Sequence, residues 1–128
     1  SHKFESNFVS LEIPKNNSVM FGSLSGTKLG VWVAHGEGKF EFPYEEKEYN
    51  IIAKYNYDGY PANPNGSPWS VAGVCSKDGR HLAMMPHPER AIFPWQCGYY
   101  PADRKENDEV TPWIEAFVNA RKWIENNK

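Results

Sequence analysis

The stretch Met84-Met85-Pro86-His87-Pro88-Glu89-Arg90 sets an imidazole and a carboxylate two residues apart on a backbone stiffened by two prolines. Each proline fixes its own φ, removes an N–H and biases the residue before it towards extended conformations. His87 is therefore expected in a closely held, extended backbone, with Glu89 in reach of its Nδ1–H. A carboxylate there selects the tautomer that leaves Nε2 free as a base towards a nucleophile. The pair reads as two members of a catalytic triad. A second pair, His35 and Glu37, has the same spacing but lies in Ala-His-Gly-Glu-Gly-Lys. There Gly36 and Gly38 loosen the backbone, which suits close approach to a ligand or another segment better than a fixed imidazole. A triad base must hold its orientation closely, so His87 is favoured as base, with His35 and Glu37 as candidate cleft-lining residues. A purely structural role stays open for both histidines.

The nucleophile would be a cysteine or a serine in hydrogen-bond reach of His87. Cys75 and Cys97 are the two cysteines, too few for a disulfide scaffold and not spaced as C-x-x-C, and a disulfide between them is disfavoured. Asp78-Gly79 between two apolar runs predicts a two-residue hairpin turn, with Cys75 facing Leu82. His87 then lies five residues further along, on the order of 16 Å away and on the opposite face. Cys75 is read as core. Cys97, in the aromatic loop Trp95-Gln-Cys-Gly-Tyr-Tyr100, lacks the strand-turn-helix setting of a nucleophile and is read as structural. Ser67 and Ser70 stay open, although neither sits in a Gly-x-Ser-x-Gly elbow. The four histidines form no H-x-x-x-H or Cys/His cluster for a metal, and no G-x-x-x-x-G-K loop offers a phosphate site.

The elements that must position these residues are legible in outline. Residues 4–13 alternate between apolar and polar and stop at Pro14, as a half-buried strand does. Lys15 to Ser18 read as a turn, and Val19 to Phe21 and Leu29 to Ala34 as short strands. The nearly continuous apolar run of the second predicts burial on both faces, as in a parallel or mixed sheet between helices. Tyr49 to Tyr57 is a further strand, Asp58 to Pro68 a rigid Pro/Gly-rich loop, and Ser70–Ser76 and His81–Pro86 the arms of the hairpin. A C-terminal helix is expected with Thr111 as cap, Pro112 at its first position and Trp113, Phe117, Ala120 and Ile124 along its apolar face.

The composition sets limits on function. A chain of 128 residues is one domain or less, and 40% hydrophobic with 15% aromatic residues suffices for a packed core. A net charge of -2 without a basic run gives no reason to expect a nucleic acid or an anionic membrane as partner. No apolar run approaches the roughly 20 residues that span a bilayer, and no signal peptide is evident, so a cytoplasmic protein is expected. The first strand opens without leader or cap, as in a chain truncated at its N-terminus.

Ala72 to Arg90, together with Val33-Ala-His-Gly-Glu-Gly38, closely resembles the glutaminase domain of the phosphoribosylformylglycinamidine synthase family. Phe4-Glu-Ser6, Asn63-Pro-Asn-Gly-Ser67, Thr111-Pro-Trp113 and Asn119-Ala-Arg-Lys-Trp123 extend the resemblance over nearly the whole chain, and the Pro-Trp helix is similar to the large, single-chain form. The resemblance implies an α/β fold: the C-terminal fragment of a class I glutamine amidotransferase (flavodoxin-like) domain, with a mixed sheet, hairpins and a C-terminal helix. In that family a cysteine attacks the side-chain amide of glutamine, and His87 and Glu89 match the pair that completes the triad. Ammonia then passes to a separate site, which converts formylglycinamide ribonucleotide to formylglycinamidine ribonucleotide in purine biosynthesis. By the same resemblance, residues 1–128 are a partial glutaminase domain lacking the N-terminal strands and the nucleophile elbow. No cofactor is implied for this chain, whereas ATP and magnesium are implied for the missing synthase domains. Glutamine is the implied substrate of the complete domain, and the upstream segment and the synthase domains of the same polypeptide are the implied partners. Gly73-Val-Cys75 imitates the nucleophile turn superficially, but Lys77 stands where its second glycine belongs, so the chain alone is expected to be inactive. Two other readings remain at this stage: a non-catalytic interaction or regulatory module, and a Ser-His-Glu hydrolase.

Overall fold

The computed structural model describes residues 3–128, an α/β arrangement built on one curled five-stranded sheet. The strands are β1 (Glu5–Glu12), β2 (Lys28–His35), β3 (Asn50–Tyr55), β4 (Val71–Cys75) and β5 (Leu82–Met84), in the spatial order β2-β1-β3-β4-β5. Every pairing is antiparallel, so the expected mixed sheet is corrected among the described residues. Alternation sets the register: Val9 and Leu11 of β1 and Val31 and Val33 of β2 are buried on one face, with Val9 opposite Val31. In β4, Gly73 permits a close approach, because a Cβ there would lie 2.9 Å from Ile52 Cδ1 and 3.1 Å from Met84 Cβ.

The β4–β5 hairpin has the expected register, Cys75 opposite Leu82, but its loop holds four residues rather than two. Polar side chains explain the wider turn. The Ser76 hydroxyl donates to Asp78 (2.6 Å) and accepts from the His81 amide (3.0 Å), while Asp78 also accepts from the Arg80 amide (3.1 Å). Gly79 takes the left-handed position at φ 78°.

Two further expectations fail for packing reasons. Leu29 to Ala34 is not a central strand sandwiched by helices: β2 is an edge strand, and Val31 and Val33 alternate with half-buried residues. Its apolar character serves irregular chain that folds over it. Trp32 Nε1 donates to the Gln96 carbonyl (2.7 Å), Trp113 Nε1 donates to the Gly30 carbonyl (2.8 Å), and Phe8 meets Trp32 edge to face at 5.0 Å. Val19 to Phe21 form a turn, not a strand, leading into a single 3-10 turn at Gly22–Leu24. The Ser18 hydroxyl takes the Phe21 amide (3.2 Å), which steers the Phe21 ring inward onto Trp113.

A one-turn helix α1 (Ala102–Lys105) precedes the C-terminal helix α2 (Ile114–Asn126). Thr111 does not cap α2; its hydroxyl donates to the Ala91 carbonyl (2.6 Å) and its amide to the Ile92 carbonyl (2.7 Å). The helix therefore starts two residues later than expected, at Ile114 instead of Pro112. Trp113 and Ala116 are buried, but Phe117 and Ile124 are 38% and 54% exposed, because only the hairpin tip reaches that end of the stripe. There Arg80 lies over the Trp123 ring at 4.9 Å. Both cysteines are free thiols. Among the described residues no helix is long and apolar enough to cross a membrane.

Candidate functional site

The proline-flanked histidine is fixed from three directions. Pro86 and Pro88 are buried on either side of it, and the His87 amide donates to the Trp32 carbonyl on the outer edge of β2 (2.8 Å). This bond is where the sheet curls round to meet itself. His87 has φ −113° and ψ 85°, short of the fully extended range expected of it but outside the helical region that a following proline disfavours. Pro88 then opens a single 3-10 turn over Pro88–Arg90, closed by the Arg90 amide on the His87 carbonyl (3.1 Å). That turn swings Glu89 back onto the ring: His87 Nδ1 and Glu89 Oε1 are 2.7 Å apart. An ionised carboxylate only accepts, so Nδ1 carries the proton and the Nε2 lone pair is presented elsewhere. The imidazole is 30% exposed. Beside the pair lies a shallow hollow of about 280 Å³, walled by Met20, Leu82, Met84, Met85 and Phe117.

His35 ends β2 three residues beyond Trp32, and a charge on His87 would oppose one on its ring. Burial is the main cause holding its pKa below the ordinary 6.5; a backbone hydrogen bond opposes this, His87 adds to it, and Glu5, opposite it on β1, opposes it more weakly. The expectation of a loosely placed imidazole is corrected. A Cβ on Gly38 would lie 2.6 Å from the His35 ring, so this glycine makes room for the ring to pack. In the amide orientation that satisfies both ends of Asn65, its oxygen accepts His35 Nδ1–H (2.8 Å) and the Gly38 amide (3.1 Å), and its nitrogen donates to the Pro64 carbonyl (3.2 Å). His35 Nε2 is buried and has no hydrogen-bond partner among the described residues. Glu37 is exposed and makes no bond to His35; it borders an open polar hollow with Gly36, Lys39 and Asn65.

No thiol or hydroxyl among the described residues is hydrogen-bonded to His87. Cys75 sits in β4 and packs against the core. The Cys97 thiol contacts the Phe93 carbonyl (3.7 Å), and burial raises its pKa, the opposite of what a nucleophile needs. Ser67 is buried and bonded to Asn63, and Ser70 donates to Asp58 at 2.5 Å. Among the described residues no group of three or more His, Cys, Asp or Glu side chains is arranged to hold a metal. Sequence reasoning missed two contributors. Trp32 acts through a backbone carbonyl, which leaves no trace in residue type. Asn65 was visible only as part of the Asn-Pro-Asn-Gly-Ser run.

The chain is similar to known proteins over nearly its whole length. Residues 1–124 match the CobB/CobQ-like glutamine amidotransferase domain. The probable phosphoribosylformylglycinamidine synthase, chloroplastic/mitochondrial, of Arabidopsis thaliana is 42% identical over 139 residues, covering 98% of this chain and 10% of that protein. Phosphoribosylformylglycinamidine synthase of Homo sapiens is 42% identical over 135 residues, covering 96% and 10%. The chain thus spans about a tenth of the length of the curated relatives it matches. The structure of PurLQS from Thermotoga maritima shares the fold, with a TM-score of 0.71 at 24% identity over 96% of this chain and 49% of that one. The His87–Glu89 pair is thus carried by a chain that belongs to the CobB/CobQ-like glutamine amidotransferase family, in the part of it that phosphoribosylformylglycinamidine synthases share.

Proposed function

We propose that residues 1–128 are the C-terminal portion of the glutaminase domain of a large, single-chain phosphoribosylformylglycinamidine synthase. His87 is its general base and Glu89 the carboxylate that orients it. The observation that carries this is the 2.7 Å contact between His87 Nδ1 and Glu89 Oε1 in a ring left partly open to solvent. In this reading a cysteine from an upstream segment of the same polypeptide attacks the glutamine side-chain amide. His87 Nε2 takes the thiol proton and passes it to the departing ammonia, and water, activated in turn by His87, cleaves the thioester. Glu89 stabilises the imidazolium that forms at each proton transfer.

The Met-rich hollow beside the pair is the seat of that upstream segment, since adaptable methionines suit a surface that another element must pack against. The same segment supplies the strands that complete a flavodoxin-like, mixed sheet, and without it the chain hydrolyses no glutamine. His35 and Glu37 line the glutamine side of the cleft, His35 from behind and Glu37 at the rim. The remaining nine-tenths of the polypeptide holds ATP and magnesium and uses the ammonia to aminate formylglycinamide ribonucleotide. Cytoplasmic residence is proposed with it, although the Arabidopsis relative's name points to organelles.

The test is the full-length protein carrying His87→Ala. Glutamine-dependent turnover is expected to fall roughly 10⁴-fold or more, while synthesis from added ammonia persists. Glutamine hydrolysis at the parental rate in that variant would overturn the proposal.

A further inference from the structure

Alternate residues of one loop hold alternate residues of another. Asn65 Oδ1 accepts the Gly38 amide (3.1 Å), Ser67 Oγ accepts the Phe40 amide (3.3 Å), and the Trp69 ring stacks on Phe42 at 5.2 Å and 21°. Steps of two on 65–69 thus match steps of two on 38–42. The holding loop is itself over-determined. The Asn63 side chain accepts the Ser67 amide (3.0 Å) and donates to its carbonyl (2.9 Å), and Ser70 donates to Asp58. Trp69 and Ser70 both sit at positive φ, 54° and 56°, a conformation that persists only where the surroundings enforce it. The loop is built as a brace, and its polar end falls on the turn that leaves β2 just beyond Trp32, whose carbonyl holds the His87 amide.

We propose that Asn65 is a positioning residue for glutamine hydrolysis: through the His35 ring and the Gly38 amide it fixes the turn that carries Glu37 away from β2, the strand to which the His87 amide is bonded. An amide suits the task because one oxygen serves two donors while its nitrogen is tied to the Pro64 carbonyl. With glycines at 36 and 38 the turn has little stiffness of its own, so its shape depends on that oxygen. His87 is tied instead to the Trp32 carbonyl and to Glu89, neither of which Asn65 touches. Loss of the amide should therefore loosen substrate binding more than chemistry. This proposal rests on His87 acting as the base.

The experiment compares Asn65→Ala and Asn65→Asp with the parent in the full-length protein, in mildly alkaline buffer, by glutaminase kinetics and by synthesis from added ammonia. Alanine removes the acceptor, and KM for glutamine is expected to rise roughly ten-fold, the effect of one or two neutral hydrogen bonds, with kcat within about two-fold. Aspartate keeps the acceptor and should restore most of the KM, with ammonia-dependent synthesis unchanged in both variants. An unchanged KM in Asn65→Ala overturns the proposal. So does a loss of kcat and ammonia-dependent synthesis together that aspartate does not rescue, since that is a folding defect. His87→Ala in the same assay separates the two readings: activity retained there defeats the assignment of the base, whatever Asn65 does.

Discussion

At the scale of single residues, the site turns on which nitrogen holds a proton. Glu89 selects the Nδ1–H tautomer of His87, and a glutamine in its place can present an NH₂ instead and favour the wrong one. Glu89→Gln in the full-length protein is expected to lower kcat for glutamine hydrolysis by about 10²–10⁴-fold with little change in KM, read by steady-state kinetics. His35 makes a different statement, about stability. Its folded-state pKa is held below 6.5, chiefly by burial, so on acidification the unfolded chain binds a proton before the folded chain does. Stability is therefore lost as pH falls through 6.5 and levels off below the folded-state pKa, and above 6.5 the effect vanishes. Thermal melts of parent and His35→Gln from neutral pH down to about 5 check this, and the variant should show the shallower decline.

At the scale of elements, the hairpin tip is locked to the chain beneath it. A Cβ on Gly79 would lie 2.2 Å from the Asn17 carbonyl oxygen, at φ 78°, and the Val19 amide bonds the Gly79 carbonyl (2.9 Å). Gly79→Ala is expected to cost about 2–5 kcal/mol, left-handed strain plus a clash with backbone that cannot rotate away, measured by denaturant unfolding. The hairpin register and the His87–Glu89 pair were legible in the sequence because both are local: an Asp-Gly turn, alternation, and a spacing of two residues. The place of β2 was not. An apolar run reports that a strand is covered and says nothing of whether helices or irregular chain cover it, and here Gln96 and Trp113 do. Thr111 was misread as a cap because a hydroxyl can accept from a helix amide or donate to a carbonyl elsewhere, and here it turns to the Ala91 carbonyl. The grip of Asn65 on Gly38 spans 27 positions, and no local pattern announces it.

At the scale of the whole molecule, two bonds to the edge of β2 decide how the domain closes. One comes from the Trp113 indole and the other from the His87 amide, so the C-terminal helix and His87 are anchored two residues apart on one strand. What this closure leaves uncovered is the side of α2 with Phe117 and Ile124, continuous with the Met20, Met84 and Met85 wall beside His87. If that face seats the upstream segment, lengthening the polypeptide through the Gly-x-Cys turn of the family should bury it. Covering Phe117 and its neighbours is worth roughly 2–4 kcal/mol. The longer polypeptide should therefore melt higher, bind less of a dye that reports exposed apolar surface, slow hydrogen exchange along α2, and hydrolyse glutamine where the 128-residue chain does not. Equal dye binding and equal exchange in the two polypeptides would show that the segment docks elsewhere. Catalysis restored without protection of α2 would separate the completion of the triad from the burial of this face.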